Sequence, residues 1–227
     1  MNDMRIERPE LICLDLIDTL MLRHNSQFTE CFVEQLGIFG IEKLNVQKAA
    51  NRIREKYIEY SFGNYSNDDE YLRSILLYYV DRSTADGIIP SLKPVILNHF
   101  EPIAHCREFL EYCALKYTLV LASNFIVHWM EELLEKYGFA KYFERTYVSS
   151  QIRYRKPAKQ FFSVIINDYP HIKPSKMLMI GDSIVNDYHG ARESGLSSVI
   201  VNKRLDNSSF FHRPDISMTI EEIKQYI

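Results

Sequence analysis

The stretch LICLDLIDTL, Leu11 to Leu20, constrains the fold more than any other part of the chain. An unbroken apolar run that ends abruptly in Asp15 reads as a strand buried on both faces, which is the habit of parallel sheets. Open α/β sheets bind their ligands at the carboxyl ends of such strands, so Asp15 arrives at the edge where chemistry is expected. A second carboxylate and a hydroxyl follow at Asp18 and Thr19.

Beyond Leu20 the apolar periodicity becomes helical and stays so to about residue 100, first with Phe32 and Leu36, then Ile53, Tyr57 and Ile58, then Leu72, Ile75, Leu76 and Tyr79. Clusters of Gly, Asn, Asp, Ser and Pro predict breaks at 37–45, 62–69 and 81–94. Asn67 followed three residues later by Glu70 has capping-box spacing, which predicts a helix over 68–80. From Glu101 onward strands and helices alternate, with strands expected at 117–122, 146–149, 177–180 and 198–201. Gly138 is placed to close a helix over 127–137, and Pro157 suits the first turn of the helix carrying Phe161 and Ile165. A last helix is expected from Ile220. The fold class is therefore α/β: a doubly wound parallel, Rossmann-like sheet from residues 1–21 and 101–227, with an all-helical cap, 22–100, inserted between hinges near Met21 and Pro102.

Bulk properties exclude more than they select. A net charge of −3 over 227 residues gives no electrostatic reason to expect nucleic acid or an anionic membrane as partner. No run approaches the roughly eighteen apolar residues of a membrane span. The amino terminus has no basic segment followed by an apolar one, so a cytoplasmic protein is expected. Cys13, Cys31, Cys106 and Cys113 lack CxxC spacing and read as small buried apolar residues in a reducing compartment. Oligomeric state is not legible.

Four predicted strand or loop ends carry polar groups: Asp15, Ser123 with Asn124, Lys156, and Asp182 with Asp187. Carboxylates gathered at one edge repel each other and raise their own pKa values unless a cation sits among them. Hard oxygen ligands with a hydroxyl and one lysine point to Mg²⁺ sharing its coordination with a phosphate.

Asp-x-x-x-Thr-Leu, an apolar strand ending in Ser-Asn, Lys-Pro, and Gly-Asp-Ser-x-x-x-Asp occur here in that order, from Asp15 to Asp187. Together they resemble the haloacid dehalogenase superfamily, in particular its phosphatase-like members with a helical cap after the first motif. The resemblance implies that Asp15 is a nucleophile forming an aspartyl-phosphate. It implies that Ser123 and the backbone at Asn124 hold the phosphoryl group of a small phosphorylated substrate, and that Lys156 neutralises charge on that group and on Asp15. Asp182 would ligate Mg²⁺ with Asp15 and the carbonyl of Ile17, and Asp187 would be a ligand or support one.

One departure qualifies that implication. In family members that hydrolyse phosphate esters, the second residue after the nucleophile is usually an Asp serving as general acid and base; here it is Ile17. Asp18 does not replace it, since the spacing from Asp15 to Thr19 is unchanged and neighbouring side chains of an extended segment point apart. The expectation is a phosphatase with weak or restricted activity. The alternatives are an impaired relative that binds a phosphorylated ligand or a protein partner, and a haloacid dehalogenase, against which the metal-type carboxylates at Asp182 and Asp187 count. Arg23, His24, Arg52, Arg54, Tyr57 and Tyr60 are the cap residues with a chance of facing the site.

Overall fold

In the computed structural model, residues 8–23, 25–41, 46–201, 217–218, 223–224 and 227 are described, the side chains of 25–28, 31, 217 and 218 excepted. The expected Leu11 strand is β1 (Leu11–Leu14), and it is the centre of the sheet. Its neighbours are β4 (Thr118–Ser123) and β6 (Met177–Gly181); β5 (Arg145–Val148) lies outside β4, and β7 (Ser197–Val201) then β8 (Ser217–Met218) lie outside β6. Every pairing is parallel.

Alternation along these strands feeds two apolar layers, as a two-residue side-chain period requires. Leu11 and Cys13 join Val120, Met177 and Met179 in packing against Phe161, Phe162 and Ile165 of α8 (Lys159–Asp168). Ile12 and Leu14 join Leu119, Leu121 and Ile180 on the opposite face, against α5 (Cys106–Ala114) and α6 (Val127–Lys136). Because both faces are covered, every residue of β1 and β6 is buried, which is why these segments are apolar throughout. Chain order reverses across β1, from β4 on one side to β6 on the other, so the switch point of the sheet lies at the end of β1.

Between the first strand and the rest stand four helices, α1 (Asn25–Ile38), α2 (Val46–Ser61), α3 (Asp68–Leu76) and α4 (Arg82–Asn98). They enter through β2 (Met21–Arg23) and leave through β3 (Phe100–Pro102), which pair antiparallel, so the two expected hinge points are tied to each other. Asn67 caps α3 by accepting from the Glu70 amide at 2.9 Å, and the Glu70 carboxylate returns to the Ser66 amide.

Three sequence expectations need correction. The supposed break at 81–94 is α4: Asp81 caps it, accepting from the Thr84 amide, and Pro90 and Pro94 lie inside it. Both prolines are exposed and four residues apart, so the hydrogen bonds they forfeit lie on the water-facing side, where solvent takes over. The helix expected over 68–80 ends at Leu76, and the following residues turn, with Leu77 and Tyr78 facing solvent. Pro157 is not in the first turn of α8; it sits in a turn after a cis Lys156–Pro157 bond, and Ala158 precedes the helix. The helix expected from Ile220 lies mostly outside the described residues, of which Ile223 and Lys224 are helical. Among the described residues no helix is long and apolar enough to cross a membrane.

Candidate active site

Asp15 follows β1 directly at the centre of the sheet and is 7% exposed. Asp182 follows β6 on one side, and Ser123 ends β4 on the other, buried at 2% exposure. The arrangement follows from strand order alone, since adjacent parallel strands of similar register end together.

Lys156 comes from the loop after α7 (Ser149–Ile152) and is itself buried. Its ammonium donates to Asp15 Oδ1 at 2.9 Å, to Asp187 Oδ1 at 2.5 Å and to the Ala122 carbonyl at 2.6 Å. Three donors meet three acceptors, so the buried cation is fully used. Burial opposes that charge, but Asp15 and Asp187 outweigh it and hold the lysine above its ordinary pKa.

Asp187 lies on a π-helical turn, Ile184–His189, that continues into α9 (Gly190–Glu193). Its Oδ2 accepts from the Ser183 amide at 2.9 Å, so each of its oxygens is engaged by the protein. A Cβ on Gly181 would stand 2.3 Å from Asp187 Cγ, which explains a glycine before Asp182. Gly190 likewise admits Pro157, whose Cα would be 2.7 Å from an added Cβ.

Oxygens of Asp15, Asp182 and Asp187 lie within 4.8 Å of one another. Burial, then the charges of Asp15 and Asp187, push the Asp182 carboxyl up to about 7. Burial also raises Asp187, against the opposing pull of Lys156. Lys156 bonds two of the three acids, Asp15 and Asp187, and the raised pKa of Asp182 marks the negative charge gathered there. A divalent cation bound by oxygen fits this charge, with Asp15 and Asp182 as donors and Asp187 beside them.

Ile17 is half-buried and packs on the core, bridging to Met21. Asp18 is not extended, as the sequence reading assumed: φ is +65°, and its amide donates to the Met21 carbonyl at 2.6 Å. Asp is among the few side chains that tolerate this left-handed conformation. Asp18 is not one of the converging carboxylates among the described residues.

The side chain of Asn124 turns to the Lys156 backbone: Nδ2 donates to its carbonyl at 2.9 Å, and Oδ1 accepts from its amide at 2.8 Å. Of the helical-segment candidates, Tyr57 reaches this region, its hydroxyl donating to the Asn124 carbonyl at 2.7 Å. Tyr60 instead bonds Asp68, Arg52 pairs with Glu55, Arg23 and Arg54 are exposed, and His24 lies outside the described residues. Sequence reasoning did not find the Ala122 carbonyl or the Ser183 amide, because backbone groups leave no trace in residue identity. Cys13, Cys106 and Cys113 are buried free thiols, each pushed up to about 12 chiefly by burial, and so inert.

Comparison with known proteins agrees with this architecture. A model of the haloacid dehalogenase-like hydrolases matches residues 16–201. Pyrimidine 5'-nucleotidase PynA of Streptococcus pneumoniae is 30% identical over 86 residues, 38% of this chain and 36% of that protein. HAD-hydrolase YfnB of Bacillus subtilis is 25% identical over 108 residues, 48% of this chain and 41% of that protein. The matches thus span less than half the length of these curated relatives. Among solved structures, 2-haloacid dehalogenase from Pseudomonas syringae pv. Tomato DC3000 superposes with a TM-score of 0.71 at 18% identity, covering 96% of this chain and 97% of that one. The HAD phosphatase from Thermococcus onnurineus gives 0.66 at 14% identity, with coverage of 96% and 97%. The magnesium-bound structure of YfnB gives 0.66 at 17%, with coverage of 96% and 98%. With the family model spanning most of its length, the chain belongs to the haloacid dehalogenase-like hydrolases.

Proposed function

We propose that the protein is a Mg²⁺-dependent phosphohydrolase of small phosphorylated metabolites, working through an aspartyl-phosphate on Asp15. The observation that carries this reading is the convergence of Asp15, Asp182 and Asp187 within 4.8 Å, with Lys156 buried among them. The helices α1 to α4 would act as a cap, and the setting would be cytoplasmic. The pyrimidine nucleotidase relative supports phosphate esters as the substrate class, and the magnesium-bound relative of the same fold supports the metal.

Asp15 and Asp182 would hold the ion with the Ile17 carbonyl, and Asp187 would complete or brace that set. When bound, the ion neutralises phosphoryl oxygens and lowers repulsion between substrate and nucleophile. Asp15 attacks phosphorus through one carboxylate oxygen; an Asp15–phosphorus bond forms as the bond to the leaving oxygen breaks. Water then attacks that phosphorus and frees Asp15. Lys156 steadies the charge in both steps, and Ser123 with the Asn124 backbone holds the transferred group.

Ile17 offers no proton to the leaving oxygen. Positioned acid–base help is worth about 10² to 10⁴ in rate, so acyl and aryl phosphates, whose leaving groups need no proton, should be the best substrates. Ile17 is also what favours a second reading, a relative that retains phosphate binding and has lost turnover. A dehalogenase is disfavoured, because carboxylates at 182 and 187 would repel an anionic haloacid from Asp15.

The deciding experiment measures phosphate release from acetyl phosphate and p-nitrophenyl phosphate with Mg²⁺, for wild type, Asp15→Asn and Ile17→Asp. Wild-type turnover that vanishes in Asp15→Asn is expected, with a rise in Ile17→Asp. Absence of Asp15-dependent turnover on both compounds defeats the hydrolase and leaves the binding protein.

A further inference from the structure

We propose that Tyr57, on α2, is a positioning residue for Lys156, so that docking of the helical segment and assembly of the site are one event. The chain of contacts is continuous. The Tyr57 hydroxyl donates to the Asn124 carbonyl at 2.7 Å, and the Asn124 side chain grips both the amide and the carbonyl of Lys156. The Lys156 ammonium in turn holds Asp15 and Asp187. Asn124 is therefore fixed at both ends, by α2 through its backbone and by the lysine loop through its side chain. A displacement of α2 that pulled Tyr57 away would release Asn124, and through it Lys156.

Other contacts show that α2 closes on the same loop. Arg155, the residue before Lys156, donates to Ser61 at the end of α2, and its guanidinium lies 5.5 Å from the centre of the Phe62 ring. Just beyond α2, Gly63 comes so near α7, the helix that leads into this loop, that an added Cβ would meet the Ser150 carbonyl at 2.7 Å. The Tyr57 ring stands 6.4 Å from Phe125, which follows Asn124, so ring and hydroxyl brace neighbouring residues. Helix spacing puts Tyr57 and Ser61 on one face, one turn apart. That face is what α2 presents to the loop.

The test uses the full chain as wild type, Tyr57→Phe, Asn124→Ala and the double variant. Tyr57→Phe keeps the ring and removes the hydroxyl. Native lysines are labelled with acetic anhydride, and the rate at each is read by mass spectrometry. Lys156, buried with all its donors used, is expected to label slowly in wild type and about five- to tenfold faster in Tyr57→Phe, the effect of one lost hydrogen bond on a closed arrangement. Asn124→Ala should accelerate it as well, and Tyr57→Phe should add nothing in that background, because the link is already cut. Unchanged labelling of Lys156 in Tyr57→Phe overturns the proposal. So do additive effects in the double variant, or a rise at all lysines together, which would mark Tyr57 as merely structural. A kinetic arm rests on the phosphohydrolase reading: kcat on acetyl phosphate should fall with the same non-additivity while KM stays within about twofold. Lack of wild-type turnover would defeat that reading alone, since the labelling result does not depend on it.

Discussion

Replacing Lys156 by Met tests whether the lysine is what keeps the carboxylates together. Its ammonium lies 2.9 Å from Asp15 and 2.5 Å from Asp187, and the residue is 3% exposed, so water cannot take its place without opening the site. Breaking a buried ion pair by removing one partner costs about 3–5 kcal/mol. Two pairs are lost, but the effects do not add, because the abandoned acids can bind protons. For a chain of this size about 1 kcal/mol shifts Tm by roughly 2–4 °C, so a drop of about 6–20 °C is expected. The pH dependence carries the sign. Burial already raises Asp187 against the pull of Lys156, so without the lysine its folded pKa lies further above the unfolded one; the fold then prefers it protonated and loses stability as pH rises through the folded value. The deficit in Lys156→Met should therefore be larger at about pH 8 than at about pH 5.5. Thermal unfolding of both proteins in chelator, at both pH values, measures it. A deficit below about 1 kcal/mol at the higher pH, or one of equal size at both, would refute the assignment of Lys156 as the cluster's counter-charge.

Further expectations follow from the same geometry. Saturating Mg²⁺, at about 100 times its Kd, should stabilise wild type by about 2.7 kcal/mol, a Tm rise of roughly 5–10 °C, and Asp182→Asn should abolish that rise. Gly181→Ala forces Asp187 aside, since the new methyl would sit 2.3 Å from its Cγ; a loss of about 1–3 kcal/mol in urea unfolding is expected, together with a weakened Mg²⁺ response. Asn67→Ala removes the α3 cap and should cost about 1 kcal/mol by the same measurement, with turnover kept. Ile17→Asp should raise turnover of alkyl phosphates more than that of acetyl phosphate, because only the former need a proton on the leaving oxygen; equal gains would argue against a missing acid.

Much of the sheet was legible because its strands obey a strong local rule. Segments such as 177–180 are apolar throughout, as two-sided burial demands, and the alternation with helices implied parallel pairing. Short elements escaped. β2 and β3 are three residues each and are defined by pairing with each other, which no local pattern reports. α4 was hidden by two prolines whose penalty depends on which way they face.

The same division runs through the site. Residue type and spacing determined the family, the carboxylates at 15, 182 and 187, the serine, the lysine and the anomaly at Ile17, because each is a chemical group stated outright by the sequence. Only the tertiary structure decided what those groups do to one another. That Lys156 is shared between two acids and that Asn124 serves its backbone depend on distances between residues far apart in the chain. Tyr57 makes the point most plainly. Its periodicity announced a helix face, but a hydroxyl contact spanning 67 positions arises from how two layers pack, and packing is a property of the whole fold rather than of any segment.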